Sequence, residues 1–366
     1  MEFSKEDSLK CKGFAILIML FHHMYLRQEQ YEGYAISFSP LSEGMVNQIA
    51  DFLKICVGIY VFVSAFGLTK SYKKGADRLS TFLLRRTFKM MFIFYVVYVL
   101  AVLVSFVVAK DWNVCTVYGS NDKLTALWYM LIDFLGLAEL FGTPTLNETW
   151  WYMGFAIVLV FLIPVLNQIY DKINAVWMLV MAVLLPKALG LSAASHVVRY
   201  LPLIILGIVC ARTGFLGKCK EYMNRQGRMK KVICLLGLLV LYLVLFYLRE
   251  GISKDLFIAF WDSVIPFLTV GLLFLYVNCF RICSVILKFF GTYSTLIFLT
   301  HTFIRIYWYQ DFTYGHTSAW LNYAILVASS LFTAVVLDLL MRVMRVRKME
   351  NFLDKKLTAF MEKRRQ

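Results

Sequence analysis

Lys12-Gly13-Phe14-Ala15-Ile16-Leu17-Ile18-Met19-Leu20-Phe21-His22-His23 reads as an apolar helix with a cation at one end and two imidazoles at the other. Lys12 and His23 stand eleven positions apart. Eleven steps of about 100° return to within about 20° of the same helix face, about 16 Å further along the axis. Met19 shares that face, whereas His22 is turned from it by about 80°. A lysine and a histidine on one line, through a helix otherwise built of Phe, Leu, Ile and Met, require a polar environment along that line.

The surrounding chain is of the same apolar kind. Of its 366 residues 60% are hydrophobic and 16% aromatic, with only six prolines, and the mean hydropathy is +0.68. These values lie far above the usual globular mix. Apolar runs of about twenty residues recur from end to end, each long enough to cross a hydrocarbon core of about 30 Å. No barrel-like alternation of period two is present, so the expected fold is an all-α, polytopic transmembrane bundle. The first eleven residues carry both charge signs and no small-residue cleavage site, so the first span is expected to be retained rather than cleaved as a signal.

The net charge of +15 does not mark a nucleic-acid binder, because of where it lies. Its excess sits in Lys70 to Lys89, Arg212 to Lys231 and Arg342 to the C-terminus, all beside apolar spans. That is the distribution of cytoplasmic loops. The loops Gln28 to Asn47 and Tyr309 to Ser318 are neutral or acidic.

Ten spans are expected, at 11–27, 48–69, 85–108, 150–170, 174–191, 197–214, 231–248, 256–280, 287–308 and 319–341. Leu124 to Phe141 is read as re-entrant or interfacial, since a full crossing would put every later basic loop outside. Asp133 and Glu139 within it also suit partial burial better than a lipid-facing helix. Both termini are then cytoplasmic. Residues 1–341 form the transmembrane domain and 342–366 a tail. In the tail Val346, Met349, Leu353, Leu357 and Phe360 make one stripe among Lys and Arg, as in a helix lying on the inner leaflet. The eight cysteines suggest neither an external disulfide framework nor a metal site.

His22, His23, His196, His301 and His316 all map to the outer half of the membrane or the outer surface. Ser294 precedes His301 by seven residues on one face, and Arg305 follows by one turn. A charged side chain near the bilayer centre costs about 2.5–3.5 kcal/mol on insertion scales, so both ionisable stripes are expected to face protein.

The segment Lys12-Gly-x-Ala-Ile…His23 resembles the first-helix signature of the acyltransferase-3 family of membrane acyltransferases, with His23 rather than His22 at the essential position. Val57-Gly-Ile-Tyr-Val-Phe-Val-Ser64-Ala-Phe-Gly67 is similar to the family's second helix. Phe82-Leu-Leu-Arg85-Arg86-Thr-Phe-Lys89 is similar to the basic motif opening the third, and Trp150-Trp151-Tyr152 with Pro164 to the tryptophan helix. Arg199-Tyr-Leu-Pro202…Gly207 and Gly291-Thr-Tyr-Ser294…His301 resemble the later signatures. Two departures stand out. Ser64-Ala65 replaces a frequent Ser-Gly, and Gly154-Phe155-Ala156 stands where many members place an acid. Asp133, Glu148 and Asp262 are the alternative acids.

The resemblance implies acyl transfer across the membrane of a cell, from cytoplasmic acyl-CoA, acetyl-CoA by default, to a hydroxyl of an extracytoplasmic glycan or similar acceptor. His23 would act as general base, since an imidazole titrates at about 6.5. His301 would bond the thioester carbonyl or hold the acceptor. Lys12, Arg85, Arg86 and Lys89 would meet the CoA, whose phosphates suit arginine forks. Trp151, Ser294 and Arg305 would line the acceptor side. The expected partners are the lipid bilayer, acyl-CoA, the acceptor and a second copy of the chain as a homodimer, without nucleic acid or metal. The competing reading is a proton- or ion-coupled transporter using Lys12, His23 and His301. It would carry internal repeats and helices broken in matching halves, neither of which the sequence displays.

Overall fold

A computed structural model describes residues 2–74, 79–108, 112–119, 122–192, 195–251 and 254–363. Residues 75–78 and 364–366 of the basic segments lie outside this set. The helices are α1 (Lys5–Tyr25), α2 (Glu43–Phe52), α3 (Ile55–Lys74), α4 (Leu79–Val108), α5 (Val114–Tyr118), α6 (Lys123–Phe134) and α7 (Ala138–Phe141). They continue as α8 (Trp151–Tyr170), α9 (Ala175–Ala188), α10 (His196–Thr213), α11 (Phe215–Asn224) and α12 (Arg228–Gly251). The last five are α13 (Lys254–Tyr276), α14 (Arg281–Thr302), α15 (Gln310–Tyr314), α16 (Ala319–Val343) and α17 (Val346–Lys363). A π-helical turn, Phe303–Tyr307, extends α14. Among the described residues the only bridge pairing is Ser37 with Ser318.

The protein is all-α and polytopic. Among the described residues eight helical stretches are long and apolar enough to cross a membrane, matching eight of the ten expected spans. The other two differ for physical reasons. α9 has 14 residues, about 21 Å of helix against a core of about 30 Å. α1 has the length, at 21 residues, but Lys10, Lys12, His22 and His23 interrupt its apolar character. Leu124 to Phe141 is not one helix. α6 spans 12 residues and α7 four, with Gly136 between them in the left-handed region at φ 70°, so neither piece can cross.

Two compact units emerge. One comprises Met1–His23, Gln48–Lys74 and Leu162–Ser294; the other comprises Met24–Asn47, Gly75–Phe161 and Thr295–Gln366.

In the first unit α1 and α14 touch backbone to backbone. A methyl group on Gly13 would overlap the Leu287 carbonyl oxygen, far inside van der Waals contact, and one on Gly291 would do the same to the Leu9 carbonyl. The glycines of the first and last motifs therefore face each other's helices at one crossing. α3 packs on α10, where a methyl on Gly207 would lie 2.9 Å from Ala65 Cβ. The Ser64-Ala65 departure is thus matched on the facing helix, where Gly207 leaves space for the alanine methyl. α3 also meets α13 at Gly58 and Pro266. A cluster of Phe52, Ile55, Leu245, Trp261 and Ile265 closes this core.

In the second unit α6 and α7 are tied to α4 and α5 through a buried carboxylate. Asp133 accepts from the Tyr118 hydroxyl, Thr145 Oγ1 (2.8 Å) and Leu146 N (2.7 Å). Tyr118 in turn lies 3.0 Å from the Tyr98 hydroxyl on α4. Burial pushes the Asp133 carboxyl up from its ordinary range, and these three donors oppose the shift. The turn at Gly136 packs under α8: a methyl on Gly154 would sit 2.9 Å from the Gly136 carbonyl oxygen. A side chain at 154, the first position of the second departure, would therefore crowd the Gly136 carbonyl.

Gly13→Ala and Gly291→Ala should each lower the thermal unfolding temperature in detergent, by an equivalent of about 1–3 kcal/mol or more, because the obstruction is backbone that cannot rotate away. Gly237→Ala on α12, with open space around it, should be neutral or stabilising by up to about 1 kcal/mol.

Candidate functional site

The first unit carries the polar line of α1. Ala15, Ile16 and Leu20 are fully buried, and Met19 nearly so, so the helix is gripped by protein along this stretch. Lys12 is half-buried. Its carbonyl accepts from the Tyr60 hydroxyl at 3.4 Å, and its Nζ has no ion-pair partner among the described residues. Lys10, two residues earlier on another face, is engaged instead by Asn278 Oδ1 at 2.6 Å and Glu6 at 2.9 Å. Hydrogen bonding to Lys10, then to Lys288, holds the Glu6 carboxyl down at about 2.

The two neighbouring histidines are separated by their environments. His22 is buried and its Nδ1 lies 2.6 Å from the Ala50 carbonyl oxygen. A carbonyl only accepts, so Nδ1 carries the proton and the ring is oriented by backbone. His23 is half-buried, with its ring 5.1 Å from that of His22 at 58°. Of the acids raised from sequence, Asp262 lies in this unit and is held by Arg199 Nε, with both side chains nearly buried. That pair joins α10 to α13.

The second unit carries His301, which is fully buried. Its Nδ1 lies 2.9 Å from the Phe298 carbonyl oxygen and 3.2 Å from that of Ile297. By the same reasoning Nδ1–H is the donor, and in the neutral ring Nε2 is an acceptor. Nε2 lies 3.3 Å from Thr302 Oγ1, which lies 3.2 Å from Thr149 Oγ1, which donates to Asn147 Oδ1 at 2.7 Å. Thr149 has given its proton to the amide, so the single Thr302 proton must serve either Nε2 or Thr149. Asn147 also caps the turn before α8, accepting from Thr149 N at 3.0 Å. The His301 end of the chain is therefore anchored to the tryptophan motif.

The two tryptophans of that motif do different things. Trp150 is buried, donates from Nε1 to the Leu299 carbonyl at 3.0 Å and packs edge-on against Phe94 and Phe303. Trp151 is half-buried and, with Asp133, Glu139, Thr143, Thr145 and Glu148, lines a cavity of about 60 Å³. Glu148 pairs with Arg27 at 3.5 Å.

Arg305 sits in the π-helical turn, buried, with Nη1 donating to Gln30 Oε1 and to the Tyr314 hydroxyl at 3.4 Å. Tyr31 stacks on Tyr314 at 6.2 Å, and Tyr34 lies 5.8 Å from it. Trp112 stacks flat on Tyr307 at 4.1 Å. Ser294 is buried, with its hydroxyl donating to the Gly291 carbonyl of its own helix at 2.9 Å. It supports helix geometry here and offers no second donor.

Arg85, Arg86 and Lys89 lie within α4 rather than at its start, because the helix begins at Leu79. Arg85 and Lys89 are one turn apart and both meet Asp354 of α17, with Arg85 Nε and Nη2 each 3.1 Å from a carboxylate oxygen and Lys89 Nζ at 3.0 Å. Arg86 points elsewhere, its guanidinium 5.7 Å from the centre of the Phe82 ring. Val346 and Asp354 are buried, while Met349, Phe352, Leu353 and Phe360 are exposed. The ion pairs turn Asp354 inward.

The sequence model of the acyltransferase-3 family, an acyltransferase domain, matches residues 11–339. The chain belongs to the acyltransferase-3 family. It is accordingly a multi-pass membrane acyltransferase, and the motifs of this acyltransferase carry the contacts just described. No curated protein and no solved structure gives a significant match.

Thr149, Thr302 and Asn147 were not singled out from sequence. An Asn two residues before a Thr at a helix start is a cap pattern, and it was the available signal. Asp354 was visible only as one of three acids inside a basic tail.

Arg199→Met should destabilise the acyltransferase by about 3–5 kcal/mol, because it leaves Asp262 charged, buried and unpaired. A double change Arg199→Met with Asp262→Leu should recover most of that loss, as read by thermal unfolding in detergent.

Proposed function

We propose that this acyltransferase moves an acyl group, acetyl by default, from cytoplasmic acyl-CoA to a hydroxyl of an extracytoplasmic acceptor, a carbohydrate or cell-surface glycan precursor, in the cell membrane. The observation that carries the reading is the Lys12–His23 line of α1, in a chain whose residues 11–339 match the family. With both termini cytoplasmic, Lys12 stands toward the donor side and His23 toward the acceptor side. An unpaired Lys12 ammonium suits the polar pantetheine or phosphate end of the donor.

In the reaction His23 removes the proton of the acceptor hydroxyl as its oxygen attacks the thioester carbon. The C–O bond forms, the C–S bond breaks, and the thiolate of CoA takes up a proton. Transfer is direct, since no serine or cysteine pairs with His23 in sequence as a nucleophile would. Of the two roles raised for His301, holding the acceptor is the better supported. Its Nε2 accepts in the neutral ring, and an acceptor atom can receive a hydroxyl proton but cannot bond a thioester carbonyl oxygen. Trp151 and Arg305, with the tyrosines around Arg305, fit binding of a polyhydroxylated molecule through stacking and hydrogen bonds. Arg85, Arg86 and Lys89 would meet the donor phosphates.

Radiolabelled acetyl-CoA supplied to purified protein with a panel of glycan acceptors tests the reading. Absence of both CoA binding and thioester turnover would count against it. His23→Ala should lower turnover about 10²–10⁴-fold while CoA binding persists; near-normal activity would remove the base assignment. Thr302→Val should cost about tenfold in turnover, the worth of one hydrogen bond, and Thr302→Ser should restore it.

A further inference from the structure

Asp354 belongs to α17, which begins at Val346, beyond the family match ending at residue 339. Its partners Arg85 and Lys89 lie inside that match. A carboxylate from an appended helix therefore fills a cationic pair of the acyltransferase domain. The grip is close to what a phosphate would receive. Arg85 presents two nitrogens to the two carboxylate oxygens, each at 3.1 Å, and Lys89 adds a third contact at 3.0 Å. Planar guanidinium forks match carboxylate and phosphate geometry alike.

Charge favours replacement. A phosphate monoester carries about −1.5 to −2 against the single charge of a carboxylate, so the two cations attract it more strongly than they attract Asp354. Access favours it too: the Arg85 and Lys89 side chains are 31% and 38% exposed, whereas that of Asp354 is 10% exposed. Hydrogen bonding to Arg85 holds the Asp354 carboxyl below its usual range, so the clasp is charged near neutrality. The helix is also mounted on a short joint. Arg345, between α16 and α17, takes the left-handed conformation at φ 54°, and Asp338 pairs with Arg342 at 2.6 Å and Arg347 at 3.7 Å on either side of it.

We propose that Arg85 and Lys89 form a phosphate site that Asp354 closes, so that the C-terminal helix competes with the phosphates of the acyl donor. The proposal rests on the donor reading above for the identity of its ligand. The clasp is a brake: donor binding must first displace Asp354, and α17 with it.

Asp354→Asn in the full chain tests this, because it keeps the side-chain shape and removes the charge. In zwitterionic nanodiscs the variant should bind CoA about tenfold more tightly than the parent by calorimetry, while pantetheine, which lacks phosphate, binds both equally. Unchanged or weaker CoA binding in the variant would overturn the brake while leaving the donor reading intact. If neither protein binds CoA but the variant gains affinity for inorganic pyrophosphate, the phosphate site stands and the donor reading falls. No response to either anion would overturn the proposal. A loss of CoA binding when phosphatidylglycerol is added to the variant's nanodiscs would assign the site to lipid headgroups instead, against it.

Discussion

The contact on which the first unit depends is the crossing of α1 and α14 at Gly13 and Gly291, where backbone meets backbone. In a membrane, helices gain little from burying apolar side chains against one another, since lipid is equally apolar. Close approach at small residues supplies packing instead. Gly13 directly follows Lys12, and Gly291 lies one turn before Ser294. The same constraint that joins the two ends of the chain thus fixes the height of the lysine in its helix. The Ala65–Gly207 contact of α3 and α10 works in the same way.

Polar chemistry inside this protein is satisfied in local groups. Asp262 answers Arg199, Asp51 answers Arg249 at 3.3 Å, and Asp133 collects three donors. Each buried charge or carboxylate that lacked such partners would be costly in a low-dielectric interior. Against that background Lys12, with no ion-pair partner among the described residues, is the residue whose surroundings most suit an incoming anionic or polar ligand. His301 occupies the intermediate case. Its ring is oriented by backbone carbonyls, yet its second nitrogen shares one threonine proton with a neighbouring hydroxyl.

Membership of the acyltransferase-3 family joins these features into one enzyme class. The cytoplasmic donor, the outer acceptor and the His23 base follow as a proposal. The tail is a separate layer. It lies outside the matched segment and reaches back to two cations within it, so regulation and binding would share one electrostatic site.

The amino-acid sequence by itself determined the all-α polytopic class, because twenty-residue apolar runs have no other stable solution in a bilayer. It also determined the family, through ordered motifs, and the shared face of Lys12 and His23, which follows from helical period alone. Only the tertiary structure decided which histidine is held by backbone. Ala50, 28 residues from His22, is no neighbour in the chain. It likewise decided what a side chain at Gly154 would crowd, since the obstructing Gly136 carbonyl comes from a turn before α7. And it decided what Arg85 and Lys89 touch. A carboxylate that finds two cations about 265 residues away fixes the rotation of α17, with Met349, Leu353 and Phe360 of the apolar stripe exposed. Long-range pairing of this kind leaves no periodic trace in sequence.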